Sequence, residues 1–162
     1  MSFLFPIPAA LVGPVSSGLK FGASRTTTDP PHPHGGVDLA WGKAGAPVLA
    51  AAGGVVSASN AITGDGRPWG IYIDHGDGWQ TRYLHLADDG SAIAKGSSVS
   101  AGEQIGTIGQ LASGPHVHFE VLQNGVRIDP ETVLAGSVGG NFLVRAVAGV
   151  AAFYLWRYWR GY

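Results

Sequence analysis

Two short patterns in this chain hold the residue types that ligate metal ions: His34-Gly35-Gly36-Val37-Asp38 and, roughly eighty residues later, His116-Val117-His118. The chain has no cysteine, which excludes disulfides, thiolate metal sites and cysteine nucleophiles, so any metal must be held by His and carboxylate. A β-strand projects alternate residues to one face, so His116 and His118 can converge on one point while Phe119 and Val121 turn to the core. A catalytic zinc takes three protein ligands and keeps one position for water. Two imidazoles and one carboxylate leave the site net positive, which lowers the pKa of bound water to ~7. His34, Asp38 and one of His116 or His118 meet that requirement, and the other histidine of the pair is left for proton transfer.

A third piece is Tyr83-Leu84-His85-Leu86 at the end of a strand-like run. Alternation predicts that Leu84 and Leu86 pack inward while Tyr83 and His85 face a cleft. Hydrolysis of a peptide bond needs a base for water and a donor for the developing oxyanion, and two non-ligand histidines can share those tasks. Each piece alone is a weak signal: a lone His is more often a surface or core residue, and Gly35-Gly36 also reads as a plain turn. His32, between two prolines, reads as a loop residue at the cleft rim, and His75 as structural. Glu120 shares strand parity with His116 and His118, so its carboxylate can reach a ligand's outer ring nitrogen; a solvent-facing or core-edge Glu is the plain alternative. Arg25 reads equally as a substrate contact or as the partner of a carboxylate.

The elements that must position these residues are short strands. With 26 Gly and 10 Pro in 162 residues, turns are abundant and long helices are disfavoured, and the length accommodates one domain with an appendage. Strand-like runs fall at 47–51, 55–59, 70–74, 80–84, 104–108 and 116–122, separated by Gly64-Asp65-Gly66, His75-Gly76-Asp77-Gly78, Asp89-Gly90 and Asn124-Gly125. The predicted class is mainly β. Residues 1–136 carry seven Lys/Arg against eleven Asp/Glu, and residues 137–162 carry three Arg and no acid. No Lys/Arg cluster lies on the main domain, so nucleic-acid binding has little electrostatic support. The lead-in, residues 1–14, is apolar but interrupted by Pro6, Pro8 and Pro14 and has no basic start. It reads as an extended segment packed on the domain rather than as a cleaved signal.

After Gly139-Gly140, within a linker at 137–140, the composition changes abruptly. Residues 141–160 are nearly all apolar and aromatic, with Arg145 near one end and Arg157 near the other. A hydrophobic helix of this length approaches the ~20 residues that cross a bilayer core, and its aromatic and basic end suits a membrane interface. The segment is therefore expected to seek a membrane or a partner, with attachment to a virion as a further expectation.

With these motifs in view, the chain resembles the lysostaphin/LytM-type zinc endopeptidases, which hydrolyse bacterial peptidoglycan. The resemblance is carried by Val15-Ser16-Ser17, Phe21-Gly22, Arg25, the 34–38 motif, Gly45-Ala46-Pro47-Val48, Ala52-Gly53-Gly54-Val55-Val56, Ile73-Asp74-His75-Gly76, Tyr83–Leu86, Gly102-Glu103-Gln104-Ile105-Gly106 and Gly114–Val121. It covers about residues 15–134 and implies a compact antiparallel β-sheet domain, 15–136, with a central groove. It further implies that His34, Asp38 and His118 bind Zn2+ and that His85 and His116 act in catalysis on peptidoglycan peptides. The choice of His118 over His116 as ligand comes from the resemblance alone. One departure is an extra residue before Arg25; another is the lack of Tyr or Asn between Arg25 and His34, so an inhibitory Asn ligand is not expected. A non-catalytic wall-binding or activator module is the alternative, although such members lose ligands and here all five positions are filled. A biotinyl- or lipoyl-type reading of 99–109 lacks the hairpin-tip Lys it requires.

Overall fold

The computed structural model describes residues 1–12, 19–25, 32–40, 42–59, 70–88, 90, 92–111, 114–134, 137–138 and 141–142. Period-two burial builds its main sheet. Ile71 and Ile73, then Thr81 and Tyr83, then Val117, Phe119 and Val121 are fully buried on one face of three adjacent strands. In chain order the strands are β1 (Ser24–Arg25), β2 (His32–Pro33), β3 (Val37–Leu39), β4 (Pro47–Leu49), β5 (Gly54–Ser59), β6 (Gly70–Gly76), β7 (Trp79–Leu84), β8 (Ser98–Val99), β9 (Gln104–Thr107), β10 (Val117–Gln123) and β11 (Val126–Ile128). The sheet runs β11-β10-β7-β6-β5-β8, with β3 added to β10, and its pairings are antiparallel. One edge of β10 thus carries β3 along its first half and β11 along its second, while β7 lies on the other edge. Strands β4 and β9 form a separate antiparallel pair.

Two of the sequence-predicted turns are tight hairpins. Asp77-Gly78 and Asn124-Gly125 adopt φ of 50° and 76°, and of 51° and 79°. They close directly after the Gly76↔Trp79 and Gln123↔Val126 pairs. Positive φ at both loop residues is what a two-residue hairpin with right-handed strand twist needs, and Asx-Gly supplies it. The runs 64–66 and 89, by contrast, lie outside the described residues, fully or in part.

The lead-in packs on the domain as expected. Phe3 and Ile7 belong to the core, and Phe3 lies against the rings of His75 and Trp79 at 5.4 and 5.5 Å between centroids. His75 is structural: Nδ1 donates to the Gly53 carbonyl at 2.8 Å, and Nε2 lies 2.8 Å from Thr81 Oγ1. At the other end, β12 (Ser137–Val138) pairs with β13 (Asn141–Phe142). The rest of the segment predicted as a helix, 143–160, lies outside the described residues. Among the described residues no helix is long and apolar enough to cross a membrane.

One expectation is corrected here. Tyr83 does not face the cleft; it is completely buried, opposite Ile71 and Phe119. Its hydroxyl accepts from Ala51 N at 2.8 Å and is bonded to Thr81 Oγ1 at 2.9 Å, and burial pushes its pKa up to about 12. Leu84 instead lies on the cleft face, as the register partner of His118. Alternation fails because the strand ends at Leu84 and His85 takes a φ of 69°, a left-handed conformation that turns the chain. Tyr83→Phe should therefore cost about 1–3 kcal/mol, because the buried Ala51 N–H loses its acceptor. Urea denaturation measures this, with metal content unchanged; unchanged stability with reduced metal binding would put Tyr83 back in the cleft.

Candidate metal centre

Antiparallel pairing of β3 with β10 sets Asp38 directly opposite His118. His118 Nδ1 and Asp38 Oδ1 are 2.8 Å apart. His34 approaches from the segment before β3, which is pinned by Gly22 N to His34 O and His34 N to Ala23 O, each 2.8 Å. Its Nε2 lies 3.0 Å from Asp38 Oδ1 and 2.8 Å from His118 Nδ1. All three side chains are buried. Among the described residues they form the group of ligand atoms close enough to hold a metal ion together.

Gly36 is required by packing rather than by a turn alone, and Gly35 lies tight against the Arg127 side chain. A Cβ at Gly36 would collide with the Phe119 carbonyl and lie 2.9 Å from His118 Nε2. At Gly35 it would lie 2.9 Å from the Arg127 side chain. Close approach of the motif to β10 is what brings His34 within reach of Asp38 and His118.

Hydrogen bonds orient the rings of His34, His116 and His118. A carbonyl oxygen can only accept, so the 2.8 Å contact of His34 Nδ1 with Lys20 O places a proton on Nδ1 and turns Nε2 toward Asp38. His118 Nε2 likewise donates to Glu120 Oε1 at 3.3 Å, and Nδ1 faces the cluster. His116 Nδ1 donates to Gly114 O at 2.9 Å, leaving Nε2 as its acceptor nitrogen, 3.7 Å from Asp38 Oδ1. The buried ring of His85 stands edge-on to His116 at 4.8 Å and lies 5.8 Å from the His118 ring.

The electrostatics favour positive charge at the cluster. Burial opposes the ionisation of Asp38, but hydrogen bonds from His118 and His34, with their charge, hold its carboxyl far below the ordinary range. Burial likewise disfavours charge on His118, yet Asp38 and Glu120 on its two sides raise its pKa. Glu120 is held low against its own burial by His118 and Arg127. Two imidazole nitrogens and one carboxylate oxygen, with each outer ring nitrogen donating to a carbonyl or carboxylate, fit Zn2+. Proton and metal compete for such nitrogens.

The five sequence-predicted residues, His34, Asp38, His85, His116 and His118, are thus brought together. His32 is exposed in β2, and the side chain of Arg25 lies outside the described residues. Sequence reasoning missed the Lys20 and Gly114 carbonyls, which act through the backbone and leave no residue-type signal. It also missed Arg127, whose Nε donates to Glu120 Oε1 at 2.9 Å. The Asn124-Gly125 hairpin was the signal available for Arg127, since its register sets Arg127 opposite Leu122, two residues from Glu120.

The family model for Peptidase family M23 matches residues 32–130. Peptidoglycan DD-endopeptidase ShyC of Vibrio cholerae is 37% identical over 63% of this chain and 25% of its own length. The murein hydrolase activator NlpD of Salmonella dublin is 35% identical over 59% of this chain and 24% of its own. A crystal structure of a zinc-containing peptidase from Vibrio cholerae superposes with a TM-score of 0.64 and 31% identity, covering 80% of this chain and 39% of that one. The chain spans about a quarter of the length of these curated relatives. The antiparallel sheet, the clustered His and Asp side chains and the match over most of the chain make it a member of peptidase family M23, the lysostaphin/LytM type.

Proposed function

We propose that this chain is a zinc-dependent endopeptidase that hydrolyses peptide cross-links or stem peptides of bacterial peptidoglycan. The observation that carries this reading is the triangle of His34 Nε2, Asp38 Oδ1 and His118 Nδ1, 2.8–3.0 Å on a side, with two further histidines beside it. His34, Asp38 and His118 would hold Zn2+, which when bound supplies Lewis-acid polarisation of the scissile carbonyl and a lowered pKa for water. His116 takes the proton from the attacking water at Nε2, because Nδ1 is committed to Gly114 O. It then returns that proton to the leaving amine. His85 donates toward the oxyanion that develops on the scissile carbonyl.

The likeness to an activator such as NlpD favours a second reading, a wall-binding module that switches on another hydrolase. Against it stand the five filled positions. His116→Ala and His85→Ala should retain one zinc per chain yet lose wall-degrading activity by ~10²–10⁴-fold. Metal analysis and mass-spectrometric sizing of digested peptidoglycan read the two effects separately. Zinc lost with His116→Ala means that ligand and base are exchanged, and a wild-type chain that binds zinc without cutting any wall supports the activator reading.

The apolar segment 141–160 is proposed to attach the enzyme to a membrane or virion surface on the wall side. The full chain should float with liposomes and a chain lacking residues 139–162 should not. Equal behaviour of the two forms assigns the segment to packing against protein instead.

A further inference from the structure

The ring nitrogen of His118 that points away from Asp38 meets a buried ionic assembly of its own. Its partner Glu120 is only 4% exposed. Glu120 Oε1 receives His118 Nε2–H at 3.3 Å and Arg127 Nε–H at 2.9 Å, and Arg82 approaches Oε2 at 3.6 Å. Arg82 is the register partner of Glu120 on β7, and it is itself held by Gln80 Oε1 at 2.8 Å and by the Tyr72 ring, 4.6 Å below its guanidinium. Arg127 comes from β11 and crosses the glycine that follows His34. A Cβ at Gly35 would lie 2.9 Å from Arg127 Cδ and Nε and 3.2 Å from Glu120 Oε1. The loop carrying one candidate ligand is therefore shaped to admit the pair that orients another.

We propose that Glu120, fixed by Arg127 and Arg82, is a positioning residue that locks His118 in the tautomer and ring orientation presenting the Nδ1 lone pair to the metal. The inference rests on the reading of His34, Asp38 and His118 as a zinc site. Arg127 would pair with a buried carboxylate wherever it pointed. Here one of its oxygens is shared with the single ring nitrogen whose proton decides which nitrogen of His118 can ligate.

The test is the zinc dissociation constant of the full chain, measured by competition with a chromophoric chelator, for wild type, Glu120→Ala, Glu120→Gln and Arg127→Met. Glu120→Ala should weaken zinc binding roughly 10–100-fold. Glu120→Gln keeps a carbonyl acceptor for His118 and should recover most of that loss, whereas a merely structural role for the charge gives no such rescue. Arg127→Met keeps the aliphatic cover over Gly35 and should fall between wild type and Glu120→Ala. The visible spectrum of the Co2+-loaded proteins should change in Glu120→Ala, because His118 no longer holds its angle. Wild-type affinity in Glu120→Ala, or in Arg127→Met should Glu120→Ala fail to fold, overturns the proposal. So does a Gln variant as weak as the Ala variant. A wild-type chain that binds no zinc overturns the metal reading along with it, whereas equal zinc affinity in all four proteins removes only the role of Glu120.

Discussion

Everything at the candidate centre depends on the antiparallel register that sets Asp38 of β3 opposite His118 of β10. A slip of β3 by one residue would send Asp38 into the core and bring Val37 out to the cleft, while His118 stayed on β10. The register is secured from the core side, where Val37, Val117, Phe119 and Val121 are fully buried. It is also secured from the other edge of β10, where β7 pairs six residues in sequence from His118↔Leu84 to Gln123↔Trp79. The metal-binding geometry is thus a by-product of packing a two-sided strand, with apolar residues on one face and chemistry on the other.

Burying one carboxylate and three imidazoles within a few ångströms is costly unless each polar atom has a partner. The chain meets that cost by giving the outer nitrogen of each His34, His116 and His118 ring a fixed acceptor: Lys20 O, Gly114 O and Glu120 Oε1. Each of these bonds also determines which nitrogen faces Asp38. Orientation and desolvation are therefore handled by the same contacts. Of the three acceptors only Glu120 is a side chain that a substitution can remove.

Much of this was legible in the residues, for identifiable reasons. Alternation at 116–122 and the Asx-Gly turns at 77–78 and 124–125 follow from local backbone geometry, so the strands and hairpins around the site could be placed from sequence. His34 and Asp38 were found because their types and spacing are chemically specific. Tyr83 was misplaced because a left-handed residue, His85, interrupts the period, and no residue type announces a histidine at positive φ. The choice between His116 and His118 was closed to sequence geometry since both share one strand face. What distinguishes them is long-range: His118 lies opposite Asp38 with its outer nitrogen on Glu120, while His116 has its outer nitrogen on a carbonyl two residues back. Short strands such as β3 and β11 were missed because two or three residues carry no readable period, yet they supply Asp38 and Arg127.

His34, Asp38 and His118 are proposed to hold one zinc ion. Crystals of the zinc-loaded chain measured on both sides of the zinc absorption edge test it most directly. One strong anomalous peak per chain is expected within about 2.0–2.2 Å of His34 Nε2, His118 Nδ1 and an Asp38 carboxylate oxygen, with His116 and His85 beyond ligand distance. A peak bonded to His116 in place of His118, or zinc bound only away from this cluster, would contradict it.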